Sequence, residues 1–303
     1  MGATGRLGFA TGLALAAALW CPPNAGAAGA GTSLRFTGTE GGSVDRVKFP
    51  VDVGGQSTPL NVGGWDFTIE FWMRARAADN TAPAPDCGAF RHWSNGNVVV
   101  DRDRYGQSQD WGIAVAGGKI LAGIATETMS KSVCGGTSIL DDGWHHVVFQ
   151  YDYESTDPGA LNLYVDGVQD GSTGGVQGHA DYPGGGEIGD GCGGPCVNDP
   201  FMVVGGGKVN GVGSFRGFID EMRVSNVVRY TESFIRPIVP FVRDESTMGL
   251  FHFDEAAGTA IRDASAWPTS GTRTVSSGGG PEWWTATPFA AGPGARVGAS
   301  GSA

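Results

Sequence analysis

Basic residues are scarce: 20 Lys and Arg face 31 Asp and Glu, giving a formal charge of −11. So acidic a chain argues against nucleic acid or anionic lipid as a partner, because both require a positive face. Long apolar runs are scarce as well. The longest, Leu7 to Cys21, falls short of the roughly 18 to 20 residues that cross a bilayer as a helix, so no transmembrane segment is expected. No amphipathic helix of useful length can be traced. The patterns of two common hydrolase types are missing too, namely a G-x-S-x-G elbow and the E-x-D-x-E carboxylate set of one glycosidase class. His145 and His146 lie within a strand, and His252 sits between Phe251 and Phe253, so all three read as structural. The nearest paired acids, Asp220-Glu221, are adjacent and would point to opposite faces of a strand. A non-catalytic protein is expected.

The first 30 residues read as a secretory signal peptide. Arg6 supplies the positive start, the apolar run follows, and Ala25-Gly26-Ala27 or Ala28-Gly29-Ala30 offers small residues for cleavage. Lipidation at Cys21 would anchor the chain instead, but Trp20 stands where such a signal needs a small residue. Loss of Arg6 moves the charge from −11 to −12. The expected product is secreted or held at the cell surface. Its organisation is read as one domain over residues 31–289, interrupted by a Gly-rich insertion at 171–200, with a flexible Gly, Ala and Ser tail at 290–303.

Four cysteines remain after residue 30: Cys87, Cys134, Cys192 and Cys196. In an exported chain they read as two disulfides with three possible connectivities. Cys87 with Cys134 and Cys192 with Cys196 is the preferred set. Zinc fits poorly, since there are no paired C-x-x-C units and no nearby histidine.

Glycine is abundant, at 53 of 303 residues, more than twice the usual ~7%, and it implies many turns. Between the turns lie short β-branched and aromatic runs. Residues 144–153 read as a central strand. Leu161, Leu163 and Val165 alternate with Asn162 and Tyr164, and Asp166-Gly167 suits a type I′ hairpin. In Phe67 to Arg74 the core face would carry Phe67, Ile69, Phe71 and Met73, and a half-exposed face Thr68, Glu70, Trp72 and Arg74. Further strands are expected at 33–38, 46–49, 90–93, 98–100, 111–115, 119–125, 201–204, 215–224, 249–253 and around Trp283, with one helical turn at 227–234. The predicted fold is all-β, a two-sheet antiparallel β-sandwich or jelly roll.

Four segments then carry a likeness: FTIEFWMR at Phe67–Arg74, DGWHHVVFQYD at Asp142–Asp152, LNLYVDG at Leu161–Gly167 and FRGFIDEMRVSN at Phe215–Asn226. Together they resemble the laminin G-like group of concanavalin A-like jelly rolls. VRYTESF at Val228–Phe234 and LFHFDEAAGTAIRDAS at Leu250–Ser265 are similar to its secreted bacterial members. The resemblance implies a recognition module for glycans or proteins, often with calcium at a sandwich rim.

Candidate site residues follow from that expectation. Aromatic rings flanked by amides can stack on sugar faces, which nominates Trp93, Asn95, Tyr105, Trp111 and Tyr182, with Asn97, Gln109 and Asp110 nearby. Trp111 is equally readable as core, and Trp72 as half-buried. Asp220 would be buried in a regular strand, at high cost for a charge. It is rotated outward by a bulge near Gly217, or accepts backbone N–H groups, or ligates calcium. No cofactor is required, and calcium is the one that fits the resemblance. Asp101 to Gly106 opens like an EF-hand loop, but Gly112 stands at its twelfth position. The favoured function is carbohydrate or glycoconjugate binding. The alternative is a structural or protein-adhesion role with an extracellular protein partner, and the third is a hydrolase using Glu70, Asp220 or Glu221.

Overall fold

The computed structural model describes residues 31–40, 43–84, 87, 93–103, 109–153, 160–183, 200–208, 213–274 and 280–289. Sixteen strands build two large antiparallel sheets. In chain order they are β1 (Ser33–Phe36), β2 (Val47–Pro50), β3 (Phe67–Arg76), β4 (Asn97–Arg102), β5 (Asp110–Ala116), β6 (Lys119–Ala125), β7 (Ser130–Cys134) and β8 (Asp141–Asp152). They continue as β9 (Ala160–Val165), β10 (Val168–Thr173), β11 (Phe201–Val204), β12 (Gly217–Ser225), β13 (Thr247–Phe251), β14 (Ala260–Ile261), β15 (Gly271–Arg273) and β16 (Glu282–Trp284). The first sheet runs β10-β9-β8-β3-β12-β1-β16, with β13 also on β12, and the second runs β7-β6-β5-β4-β11-β2-β15-β14. The architecture is the expected jelly-roll sandwich.

The two sheets close on one core. Phe67, Phe149 and Tyr151 from the first sheet meet Trp111 from the second, the Phe67 and Trp111 ring centroids being 5.4 Å apart. Each such burial contributes about 1.5–3 kcal/mol. β8 is central, paired with β3 on one side and β9 on the other. At the β9–β10 turn Asp166 and Gly167 have φ of 52° and 82°, the two left-handed residues that a type I′ hairpin needs.

Two expectations are corrected on the outer face of the first sheet. Thr68, Glu70 and Trp72 are buried rather than half exposed. The cover is the segment 226–244, which forms an irregular strap and not the helical turn expected at 227–234. Glu70 accepts the phenol of Tyr230 at 2.9 Å and ion-pairs with Arg223 at 2.6 Å. Gln150 donates to the Tyr230 carbonyl and accepts its N–H. Tyr164, expected outward from β9, is buried for the same reason: its hydroxyl also donates to the Tyr230 carbonyl.

The register of β12 explains a further feature. Between Asp220 and Arg223 the β3 pairing shifts, with Glu221 at φ 46°, so the strand carries a bulge. β1 pairs with β12 before the bulge and β13 pairs after it. The bulge lies at Glu221, not near Gly217, and it leaves Asp220 beside Trp72 on the outer face.

Cys87 and Cys134 form a disulfide, as preferred. Cys192 and Cys196 lie outside the described residues. Of the insertion, residues 174–183 pack inward, placing Val176, Ala180 and Tyr182 in the core. In the region expected as a strand at 90–93, only Trp93 is described, in a single 3-10 turn Trp93–Asn95.

Candidate functional site

At the sandwich end where β3 begins and β8 and β12 finish, the loops carrying residues 58–66 and 179–183, with Gln109, Glu127 and Asn226, line a groove of about 850 Å³. Its floor is fixed by hydrogen bonds. The Asn61 side chain accepts the Tyr182 N–H at 2.6 Å and donates to the Tyr182 carbonyl at 2.9 Å, locking the 58–66 loop to the 180–183 loop. Trp111 Nε1 donates to the Val62 carbonyl at 3.2 Å, and Ala180 N–H to the Gly63 carbonyl at 2.8 Å. Gly63 has φ 116° and its position admits no Cβ, since one would press on the Ala180 backbone.

This scaffold holds Trp65 outward. Its side chain is 61% exposed, whereas most large aromatics of the chain are buried. Tyr153 meets the indole edge-on at 4.9 Å and His179 at 5.3 Å, and the Tyr153 and His179 rings stack at 5.4 Å. Neighbouring polar groups set these rings. Asp66 accepts the Tyr153 N–H at 2.7 Å, Glu127 accepts the His179 N–H at 2.9 Å, and His179 Nδ1 donates to the Gly64 carbonyl.

Among the described residues, the groove wall carries carboxylates from Asp66, Glu127 and Asp181 and amides from Asn61, Gln109 and Asn226, with no lysine or arginine. Gln109 is held at φ 86°, unusual for a residue with a side chain, by Arg102 donating to its carbonyl at 2.6 Å. Strain of this kind concentrates at sites where a side chain must be aimed.

Three of the expected stacking residues are corrected. Trp93 is buried against Ala114, Ala116 and Leu121, and its indole fills the space a Cβ would need at Gly112. Trp111 and Tyr182 are also buried. None of them presents a ring to solvent, because each fills core volume. Trp111 and Tyr182 nevertheless act beneath the groove, through the bonds to Val62 and Asn61. Asn95 is exposed on the 3-10 turn but does not line the groove, and Tyr105 lies outside the described residues. Trp65, Tyr153 and His179 are the residues that sequence reasoning passed over. A signal existed in Gly63-Gly64-Trp65-Asp66, a tryptophan in a glycine turn just before the best alternating strand.

Asp220 belongs elsewhere. Its Oδ1 accepts the Glu221 N–H at 2.9 Å. Burial, then the charges of Glu221 and Asp254, push its pKa up to about 9. Glu221 is raised by burial as well, and His252 is raised by the hydrogen bond from its Nδ1 to Glu221 at 2.8 Å. Among the described residues no three His, Cys, Asp or Glu come together so as to hold a metal ion, so calcium has no assigned ligand set there. Asp101, of the EF-hand-like stretch, accepts the N–H groups of Asp103 and Lys208 and closes a turn.

Residues 42–233 match a laminin G model of the Concanavalin A-like lectin/glucanases superfamily. The chain belongs to this superfamily. No curated protein matches it. Among solved structures it is similar to a native heptameric SAP-like pentraxin from Limulus polyphemus, at 14% identity and TM-score 0.41, over 67% of this chain and 79% of that one. It is also similar to domains LG4-5 of the mouse laminin alpha1 chain, at 12% identity and TM-score 0.42, over 82% of this chain and 53% of that one. Neither carries residue-level information about the groove. Like other laminin G-type chains the protein is built on a strand framework, and no helix among its described residues is long and apolar enough to cross a membrane.

Proposed function

We propose that this laminin G-type protein is a secreted, non-catalytic recognition module that binds carbohydrate in the Trp65 groove. The observation that carries the reading is the exposed indole of Trp65, framed by Tyr153 and His179 and ringed by acids and amides. A sugar presents an apolar C–H face and a rim of hydroxyls. The indole takes the face, and carboxylates and amides take the hydroxyls. With three acids and no basic residue among the described residues of its wall, the groove favours neutral sugars over acidic ones. Its openness to solvent suits modest affinity, a Kd of roughly 10 μM to 1 mM.

A glycan array probed with the protein and with Trp65→Ala tests the reading. Hits among neutral glycans that vanish in the variant are expected. An array blank at high protein concentration, or hits that survive the substitution, would overturn it.

A further inference from the structure

Ten large apolar side chains stand exposed among the described residues, and six of them gather on the strap or at its two ends: Val168, Ile235, Ile238, Val239, Val242 and Trp267. Ile235 is 92% exposed and Ile238 79%. The aromatic rings of the strap turn the other way. Phe234 stacks on Tyr230 at 3.6 Å, and Phe241 is buried with Trp72 and Leu250. Ile235 and Val242, each next in sequence to one of these anchors, are thereby turned to solvent. The flanking residues are tied in as well. Phe234 N–H donates to the Gly167 carbonyl at 2.7 Å, which sets Val168 beside one arm of the strap. Arg243 donates to the Ser265 carbonyl at 3.5 Å and Trp267 N–H to Ser265 Oγ at 3.3 Å, which sets Trp267 beside the other arm.

Read outward from its middle, the strap repeats itself. Ile238 matches Val239, Pro237 matches Pro240, Ile235 matches Val242 and Glu232 matches Glu245, about a centre where the chain bends. Half a turn about that centre lays apolar side chains on apolar side chains. This is what a two-fold contact requires, since residue i of one copy then meets residue j of the other and j meets i. Charge follows the same rule. Glu232 and Arg243 are exposed, and neither has an ion-pair partner among the described residues. The half-turn sets Arg243 of one copy at the place of Phe234 of the other, two residues from Glu232, so one contact contains two such pairs. Pro237 and Pro240 offer no N–H, which disfavours strand addition along the ridge. The contact is one of side chains.

We propose that this ridge is the interface of a homodimer, in which two copies of the chain meet strap to strap about a two-fold axis near Ile238 and Val239. Burial of the branched residues drives the association, and the Glu232–Arg243 pairs set its orientation. The ridge offers fourteen exposed residues, twelve within 231–245 with Val168 and Trp267, against roughly 20–30 a side in a standard interface. The dimer is therefore weak and reversible, with a Kd of roughly 10–100 μM. Two copies carry two Trp65 grooves, so a ligand that repeats along a polymer is held at both. That consequence rests on the groove reading; the dimer itself does not.

The test is sedimentation velocity of the protein at concentrations from about 1 to 300 μM, which bracket that Kd. The expected result is a monomer–dimer equilibrium that Ile238→Asp, at a site too exposed to disturb the fold, weakens at least tenfold. Glu232→Arg and Arg243→Glu should each weaken it too, because each variant then sets like charges together in its own dimer. An equal mixture of those two variants should recover the wild-type level of dimer, since a mixed pair restores both ion pairs. A monomer at every concentration would overturn the proposal, as would a dimer indifferent to Ile238→Asp. A mixture no better than its separate components would overturn the two-fold arrangement. A monomer that instead binds phosphatidylcholine vesicles, and loses them in Ile238→Asp, would assign the ridge to a lipid surface and overturn the dimer.

Discussion

His146 Nε2 lies 3.1 Å from Glu70 Oε2, with both side chains wholly shielded from solvent. The pair sits where β8 and β3 run side by side; the strap closes over it through Tyr230, and Arg223 of β12 ion-pairs with Glu70 while donating to the Val242 carbonyl of the strap. A buried carboxylate at the centre of four strap and sheet contacts makes the strap conditional on that one residue.

Glu70→Ala leaves Arg223 and His146 facing a vacated site. Breaking a buried pair from one side costs about 3–5 kcal/mol. Urea unfolding should show that loss, and limited proteolysis should cut the 226–244 segment sooner. A variant as stable as the wild type would contradict the role given to Glu70.

Trp111→Phe removes the N–H that donates to Val62 and, because phenyl is smaller than indole, leaves a small cavity in the core. The cost in stability is about 2–3 kcal/mol, the lost hydrogen bond and the cavity together. The larger consequence should be at the groove, where the loop carrying Trp65 loses a tether. Affinity for a neutral glycan should fall while the bound sugar's identity is unchanged. Phe at this position with undiminished affinity would show that the tether does not matter.

The pH profile should peak on the acid side of neutrality. Asp220 keeps its proton in the fold up to about pH 9, while the unfolded chain releases it near 4. Between those values the native state binds more protons, so stability falls as pH rises. Glu221 and His252, also raised, act in the same direction: the stability His252 adds is present below about 6.5 and lost as pH climbs through its native value. At the acid end burial would raise Asp166, but its bonds to His145, the His146 N–H and Arg236 hold it down to about 2. Asp244 is likewise lowered by Arg229. The stability these two add is lost as pH drops below about 4. Thermal melts should therefore place the optimum near pH 4 to 6, with Asp220→Asn flattening the alkaline decline. Stability that rises from about pH 6 to 9 would contradict the assignment.

The Cys87–Cys134 bridge joins positions 47 residues apart in the sequence. Closing a loop of that length restricts the unfolded chain by about 2–4 kcal/mol. Urea unfolding with and without reductant should show a difference of that size. Indifference to reductant would mean the bridge adds nothing to the fold.

The strands were legible because their signals are local. Alternation in Phe67–Arg74, the aromatic run of β8 and Asp166-Gly167 each announce themselves within ten residues. What could not be read was anything decided by the strap. Glu70 and Trp72 sit on a polar-looking face, and only the packing of Tyr230 and Phe241 across the sheet buries them. A bulge was one of three readings offered for Asp220, and it was placed near Gly217; it lies at Glu221, where β1 gives way to β13 along one edge, a tertiary event. The groove was missed for a related reason. Burial is a property of neighbours, so Trp111 and Trp65 look alike in sequence, while one is shielded by facing sheets and the other is held out by a glycine turn.

The most direct test of the groove is calorimetric titration of one neutral oligosaccharide, chosen from the array, into the wild-type protein and into Trp65→Ala. Because Trp65 is largely exposed, the variant should melt within about 0.5 kcal/mol of the parent. The account predicts a Kd of roughly 10 μM to 1 mM for the wild type and at least tenfold weaker binding, about 1.4 kcal/mol, for the variant. Equal heats and equal affinity in the two proteins would contradict it.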